Sequence, residues 1–296
     1  MEPLTIVEPI SLVILGTFLA LMLRRGLRAQ TPGPDARRRA LQDIGLLAAG
    51  AFLGEETCIR LYDFYQYDAP WRLMALDVPL LVALIWPFVI LSAREVAHAL
   101  GLVNAKGRPH VLAVGFIVLY DACLVEPVAV RAGLWSWNEP GNFDVPFIGL
   151  LGWAFYAMAA SALLDRLPAA WNRRVVLVVV APLLTHAALL VTWWAAFRWG
   201  LRSPLHPEAS TAASVALASS LTAIIFQWRK RKIAVDLDIM VPRMMAAALF
   251  FGLLFWRAGA VLPLIFYGLP FAGPYLMATR FRRAPAPSAP GSAQPA

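Results

Sequence analysis

Residues 111–164 read VLAVGFIVLYDACLVEPVAVRAGLWSWNEPGNFDVPFIGLLGWAFYAMAASALL. Two apolar runs, 111–130 and 145–164, flank a short polar and aromatic loop. Each run approaches the roughly 20 residues that an α-helix needs to cross a bilayer. The stretch therefore reads as span, loop, span. Further runs of the same kind lie at about 4–23, 43–60, 78–93, 174–197, 209–227, 240–256 and 260–278. Some are short or interrupted by proline, which brackets the count at seven to nine. Composition agrees: the chain is 60% hydrophobic and 15% charged, whereas a soluble domain is about 45–50% apolar and about 25% charged. The predicted fold class is all-α, a polytopic transmembrane helix bundle forming one domain over residues 1–279. A soluble enzyme, a nucleic-acid reader and a disordered scaffold are excluded as the main function.

The net charge of +8 follows topology and does not mark a nucleic-acid surface. Nineteen basic residues fall in alternate segments, from Arg24 to Arg39, Arg94 to Arg108, Arg166 to Arg174, Arg229 to Lys232 and Arg280 to Arg283. Six fall in the other segments, and Arg243 lies within a span. Cytoplasmic loops carry the excess of Lys and Arg, so nine spans with the N-terminus outside and the C-terminus cytoplasmic are expected. The opening residues lack a basic stretch, so the first apolar run reads as a retained span rather than a cleaved signal. Residues 280–296 end in APAPSAPGSAQPA, a composition that cannot bury a core, and are expected to form a disordered cytoplasmic tail. Cys58 and Cys123 sit in apolar runs and give neither a disulfide framework nor a metal pattern.

An internal parallel repeat is expected over about 43–93 and 111–164. Glu56 is followed by Tyr65 and Tyr67, then Asp77-Val78-Pro79, then Trp86. Glu126 is followed by Trp135 and Trp137, then Asp144-Val145-Pro146, then Trp153. Each glutamate falls near the outer end of the entering helix. Asp77 and Asp144 read as caps of the returning helices, with proline in the first turn. The aromatic residues read either as an interfacial belt or as the wall of a binding site.

Acidic side chains inside a membrane are costly, and by default they face the bundle interior and carry function. The candidates are Glu55 and Glu56 in the second span, and Asp121 and Glu126 in the fourth. Glu56 and Arg60 are four residues apart, the spacing of a helical ion pair. Glu55 lies about 100° around the helix from Glu56, so the two acids cannot share a partner. Asp121 is the deepest and has no basic neighbour within a turn, which suits a proton donor in an apolar pocket. Pro127 disfavours helix at Glu126 and is expected to break the fourth span there. His98, His110, His186 and His206 are scattered without metal-ligand spacing, no phosphate-binding glycine motif occurs, and Asp236 and Asp238 read as a solvated loop. No metal and no cofactor is expected. Acids among aromatic rings suit proton-initiated chemistry on an apolar polyene, with ring faces stabilising the cation.

Residues 121–153 resemble the signature of integral-membrane carotenoid-biosynthesis proteins, a family that includes carotenoid 1,2-hydratases and bisanhydrobacterioruberin hydratase. The resemblance rests on Asp121, Glu126-Pro127, Gly133-Leu134-Trp135-Ser136-Trp137, Val145-Pro146 and Gly152-Trp153. Glu56 to Trp86 is similar to the family's first block. Gly149 stands where the family usually has asparagine, and the first block lacks the glycines expected before its tyrosines. The repeated units also look like small membrane lycopene cyclase domains.

The resemblance implies an enzyme of carotenoid biosynthesis that adds water to a terminal double bond of an acyclic carotenoid. Asp121, Glu126, Glu55 and Glu56 are the candidate catalytic acids. Tyr65, Tyr67, Trp86, Trp135, Trp137 and Trp153 are the candidate substrate-binding rings. The implied partners are the lipid bilayer, an apolar polyene and other carotenoid-pathway enzymes, in a bacterial inner membrane. Cyclisation through the same cation, a proton-coupled or lipid transporter, and a structural partner of a pigment-synthesis complex are the alternatives.

Overall fold

The computed structural model describes residues 3–28, 34–68, 70–139, 141–168, 170–198, 205–257 and 262–280. In lipid each backbone N–H and C=O must be satisfied within the protein, which favours helices throughout. Helices α1 (Leu4–Arg28), α2 (Pro34–Tyr62), α3 (Leu80–Ala99), α4 (Val111–Arg131) and α5 (Phe147–Arg166) come first. A short α6 (Trp171–Arg174) leads into α7 (Leu177–Thr192), which continues as a π-helical turn over Trp193–Phe197. Then follow α8 (Pro207–Lys230), α9 (Leu237–Arg257), α10 (Leu262–Gly268) and α11 (Ala272–Ala278).

Among the described residues seven helices are long and apolar enough to cross a membrane: α1, α3, α4, α5, α7 with its π turn, α8 and α9. Helix α2 falls outside that set, since its apolar half carries Glu55, Glu56 and Arg60. The last apolar run is interrupted by a 3₁₀ turn at Leu269–Phe271 between α10 and α11. The observed bundle thus lies within the expected range of seven to nine spans.

Helix α4 runs unbroken through Pro127, contrary to the expected break. Proline removes the N–H that would bond the carbonyl four residues back. That carbonyl, on Cys123, instead accepts a 2.7 Å bond from the Tyr267 hydroxyl. The same remedy serves α9, where Pro242 frees the carbonyl of Asp238 and Arg25 Nη1 donates to it at 2.7 Å. Asp236 and Asp238 are therefore not in a free loop. Asp236 lies in β5 (Val235–Asp236), which pairs in parallel with β6 (Thr279–Arg280), and Asp238 is in the first turn of α9. Arg280 belongs to that ladder, and the rest of the expected tail, 281–296, lies outside the described residues.

Two connecting loops at one end of the bundle position the site. Helix α4 ends with Gly133 at φ +73°, while Leu134 N–H bonds back to Ala129 O at 3.0 Å. A left-handed residue at this point closes the helix sharply. Helix α2 ends in the same sense with Asp63 at φ +50°, aspartate being one of the few side chains that tolerate this region. Asp63 thus takes the left-handed turn that a glycine takes in the second loop. The loops are then joined by antiparallel strands β1 (Tyr65–Gln66) and β4 (Ser136–Trp137), with Tyr65 opposite Trp137. Asn138 adds bonds to Asp63 O at 2.7 Å and to its carboxylate at 2.9 Å.

Neither expected aspartate cap forms. The residues before α3 and α5 are Pro79 and Pro146, without a side-chain cap. Asp77 instead accepts from Arg60 Nε at 2.8 Å. The opposite end of the bundle is closed by ion pairs between helices: Arg25 with Glu95 at 2.6 Å, Arg94 with Asp165 at 2.7 Å, and Arg174 with Asp43.

Candidate active site

Glu126 enters from α4 one turn before that helix ends and is 3% exposed. Among the described residues its hydrogen bonds come from three indoles. Trp135 and Trp137 donate to Oε2 at 2.9 and 3.0 Å, and Trp153 donates to Oε1 at 2.6 Å. The Gly133 turn returns Trp135 and Trp137 to the glutamate they follow, and α5 supplies Trp153.

Glu55 is held in the same way from α2. Tyr65 and Tyr67 donate to its Oε2, the latter at 2.9 Å, and Trp86 of α3 donates to Oε1 at 2.7 Å. Burial, followed by the nearby Glu55 carboxylate, pushes both phenols well above the usual tyrosine range. They stay neutral and can donate and accept.

The two sets of rings pack on each other. Tyr65 meets Trp137 with centroids 4.8 Å apart, Tyr67 meets Trp135 at 6.0 Å, and Trp86 meets Trp153 at 4.8 Å. Every ring that serves Glu55 thus touches one that serves Glu126. Gly149 makes room for this: a Cβ there would lie 2.6 Å from the Trp137 ring. At this position an indole lies against bare backbone.

One apolar cavity joins these groups. Glu55, Glu126 and all six rings line it, with Trp71, Tyr156 and His186. Among the described residues neither glutamate has a cationic partner, and no three His, Cys, Asp or Glu side chains converge as a metal-binding group.

The structure separates the four acids expected at the site. Glu56 is turned away from the rings: it pairs with Arg60 and accepts the Asp77 N–H at 3.2 Å. Glu55 is therefore the counterpart of Glu126, and aligning Glu56 with Glu126 by equal spacing to the aromatics was one residue off. The two helix ends turn with different geometry, so equal spacing does not give equal placement. Asp121 lines the cavity but is not without a basic neighbour. Arg243 of α9 pairs with it, Tyr275 of α11 donates to its other oxygen, and Arg243 also donates to Ser92 at 2.6 Å. The partner comes from 122 residues away, beyond any local spacing rule. Only the isolated Arg243 in an apolar run signalled that some buried acid must answer it.

A family model described as carotenoid biosynthesis protein matches residues 10–205. The chain belongs to this family. The match takes in both glutamates and all six of their donor rings, and stops short of Arg243 and Tyr275. No curated protein and no solved structure matches the chain. The aromatic box is thus part of a membrane-embedded carotenoid biosynthesis protein, a setting of lipid and polyene. Tyr156 and His186 give no sequence signal, because single aromatic residues in apolar runs are indistinguishable from core, and Trp71 lies in the first loop outside the repeated spacing.

Proposed function

We propose that this carotenoid biosynthesis protein hydrates a terminal double bond of an acyclic carotenoid. The observation that carries the reading is a pair of carboxylates at one apolar cavity that, among the described residues, have no cationic partner and are bonded only to ring donors. Indole N–H groups donate and never accept. A proton carried by Glu126 therefore has no acceptor among its three indole partners and is free for an incoming π bond. Transfer to the less substituted alkene carbon leaves a tertiary cation. Trp135, Trp137 and Trp153 line the same cavity, and an indole face offered to the cation attracts it by about 2 kcal/mol when water is excluded.

Water then adds to the cation, and the resulting oxonium loses a proton. The sum is alkene plus water giving a tertiary alcohol. Glu55 differs in its partners, since tyrosine hydroxyls both donate and accept. We assign Glu55 with Tyr65 and Tyr67 to relaying protons and Glu126 to donating one. The charge bias supports an orientation with the aromatic loops and the N-terminus outside, and we infer a bacterial inner membrane as the setting.

Ring closure followed by proton loss would make the same site a cyclase. Expression in a lycopene-producing bacterium, with chromatography and mass spectrometry of the pigments, separates the readings. A gain of one water mass is expected. An isobaric product with a shifted spectrum would mean cyclisation, and unchanged lycopene with protein in the membrane would favour a transporter.

A further inference from the structure

Two glycines in the wall of the cavity are open in a way that helix packing does not require. Among the described residues, a Cβ on Gly54 of α2 would meet only Pro182, at 3.7 Å, and one on Gly152 of α5 would meet only Leu189, at 4.0 Å. Both are ordinary van der Waals contacts. Neither glycine has a positive φ. Gly50, one turn earlier on α2, shows the contrast: its Cβ would lie 2.9 Å from the Tyr156 hydroxyl and 3.4 Å from the Val178 backbone. Glycine inside a helix is unfavourable compared with alanine, so Gly54 and Gly152 give up helix stability without gaining close packing. Gly54, Gly152, Pro182 and Leu189 all line the cavity. Gly54 adjoins Glu55 in the chain, and Gly152 adjoins Trp153, a donor to Glu126.

Pro182 and Leu189 are seven residues apart on one face of α7, about 10 Å along its axis. Helix α7 packs on α2 and α5, whereas α1 and α9 pack on each other and on α3. The cavity therefore continues from the glutamates in two directions. Toward α1 and α9 it is walled by Val7, Ile14, Ala247 and Phe250, apolar side chains of two further spans, which suits a long polyene body. Toward α7 a single further helix closes it, and the two glycines widen it there. The end of an acyclic isoprenoid is short and broad, with two methyl groups on one carbon. We propose that Gly54 and Gly152 are specificity-determining residues that shape an end-group pocket beneath α7, where the dimethyl terminus of the polyene sits with its double bond at the glutamates. This rests on the hydration reading above and adds to it which side of the cavity receives the chain terminus. A methyl group placed at either glycine takes the volume of a substrate methyl and holds the double bond back from the acids.

The test measures kcat and KM for hydration of lycopene in membranes containing the full chain, together with the Tm of the purified protein in detergent. In Gly152→Ala and Gly54→Ala the Tm is expected to stay at or above wild type, because each new Cβ meets only ordinary contacts. The kcat is expected to fall about a hundredfold, the scale for a misplacement of about 1 Å, while KM changes less because the polyene body keeps its wall. Gly45→Ala is the control: it lies on the same helix, nothing stands within 4 Å of its Cβ, and it does not line the cavity. It is expected to match wild type. Adding Leu189→Val to Gly152→Ala trims the facing side chain and is expected to restore much of the lost kcat. Wild-type kcat in both alanine variants overturns the pocket and leaves hydration standing. A loss of kcat that follows a lower Tm also overturns it, by making the glycines packing residues. Wild-type protein that forms no hydrate from lycopene overturns the hydration reading itself, and the inference with it.

Discussion

The two carboxylates of α4, Asp121 and Glu126, border one cavity, yet their surroundings differ in kind. Asp121 has a guanidinium, Arg243, and a phenol, Tyr275, drawn from helices late in the chain. Glu126 has three indoles, two from its own loop, and no cation among the described residues. A buried acid beside arginine is held as one half of a charge pair, and removing its partner leaves an uncompensated charge. An acid bonded only to neutral donors carries no such obligation and can gain or lose a proton without unbalancing the bundle. The difference separates an acid that ties helices together from one suited to chemistry, a distinction that depth in the membrane alone does not make.

The sharpest way to break this comparison is Glu126→Gln. Carotenoid conversion is expected to fall by about 10²–10⁴-fold, the range for a general acid, with the amount of protein in the membrane unchanged. Retained conversion, read from extracted pigments, would remove Glu126 from the chemistry. Asp121→Asn should behave otherwise. It strands Arg243, and a loss of about 3–5 kcal/mol is expected, read as a lower Tm in detergent and poorer accumulation. Replacing the pair together, Asp121→Leu with Arg243→Met, should recover much of it. An Asp121→Asn protein with wild-type Tm and no conversion would reverse the assignment and make Asp121 the donor.

Smaller effects test the packing between the halves. Gly149→Ala places a Cβ about where the Trp137 ring now lies. Overpacking of this kind costs about 1–3 kcal/mol, and the displaced indole should change tryptophan fluorescence and lower conversion. Unchanged fluorescence and rate would mean that the ring contact tolerates a shift. Tyr67→Phe removes one of three donors to Glu55 and is expected to cost about 1 kcal/mol, roughly a fivefold change in rate. An effect as large as that of Glu126→Gln would mean that the Tyr67 hydroxyl handles the transferred proton itself.

Much of this was legible beforehand for a definite reason. Helix length in a bilayer is set by its thickness, so apolar runs located the spans in the sequence. The order of glutamate, aromatic pair and later tryptophan likewise marked the residues of the box before any contact was known. Spacing did not resolve which of Glu55 and Glu56 belongs to it, because the Asp63 and Gly133 turns differ by a residue in their return. Pro127 was misread as a break because its compensation, the Tyr267 hydroxyl on Cys123 O, comes from 144 residues away.

The sequence by itself determined a membrane helix bundle, the side bias of its basic residues and the ordered series of acids and aromatic rings. These depend on composition and on order along the chain. Only the tertiary structure decided which acids carry a charge partner, which rings meet across the two loops and which carbonyls the prolines leave to distant donors. Those are properties of groups far apart in sequence that share a few ångströms of low-dielectric space, where a single partner changes what a carboxylate can do.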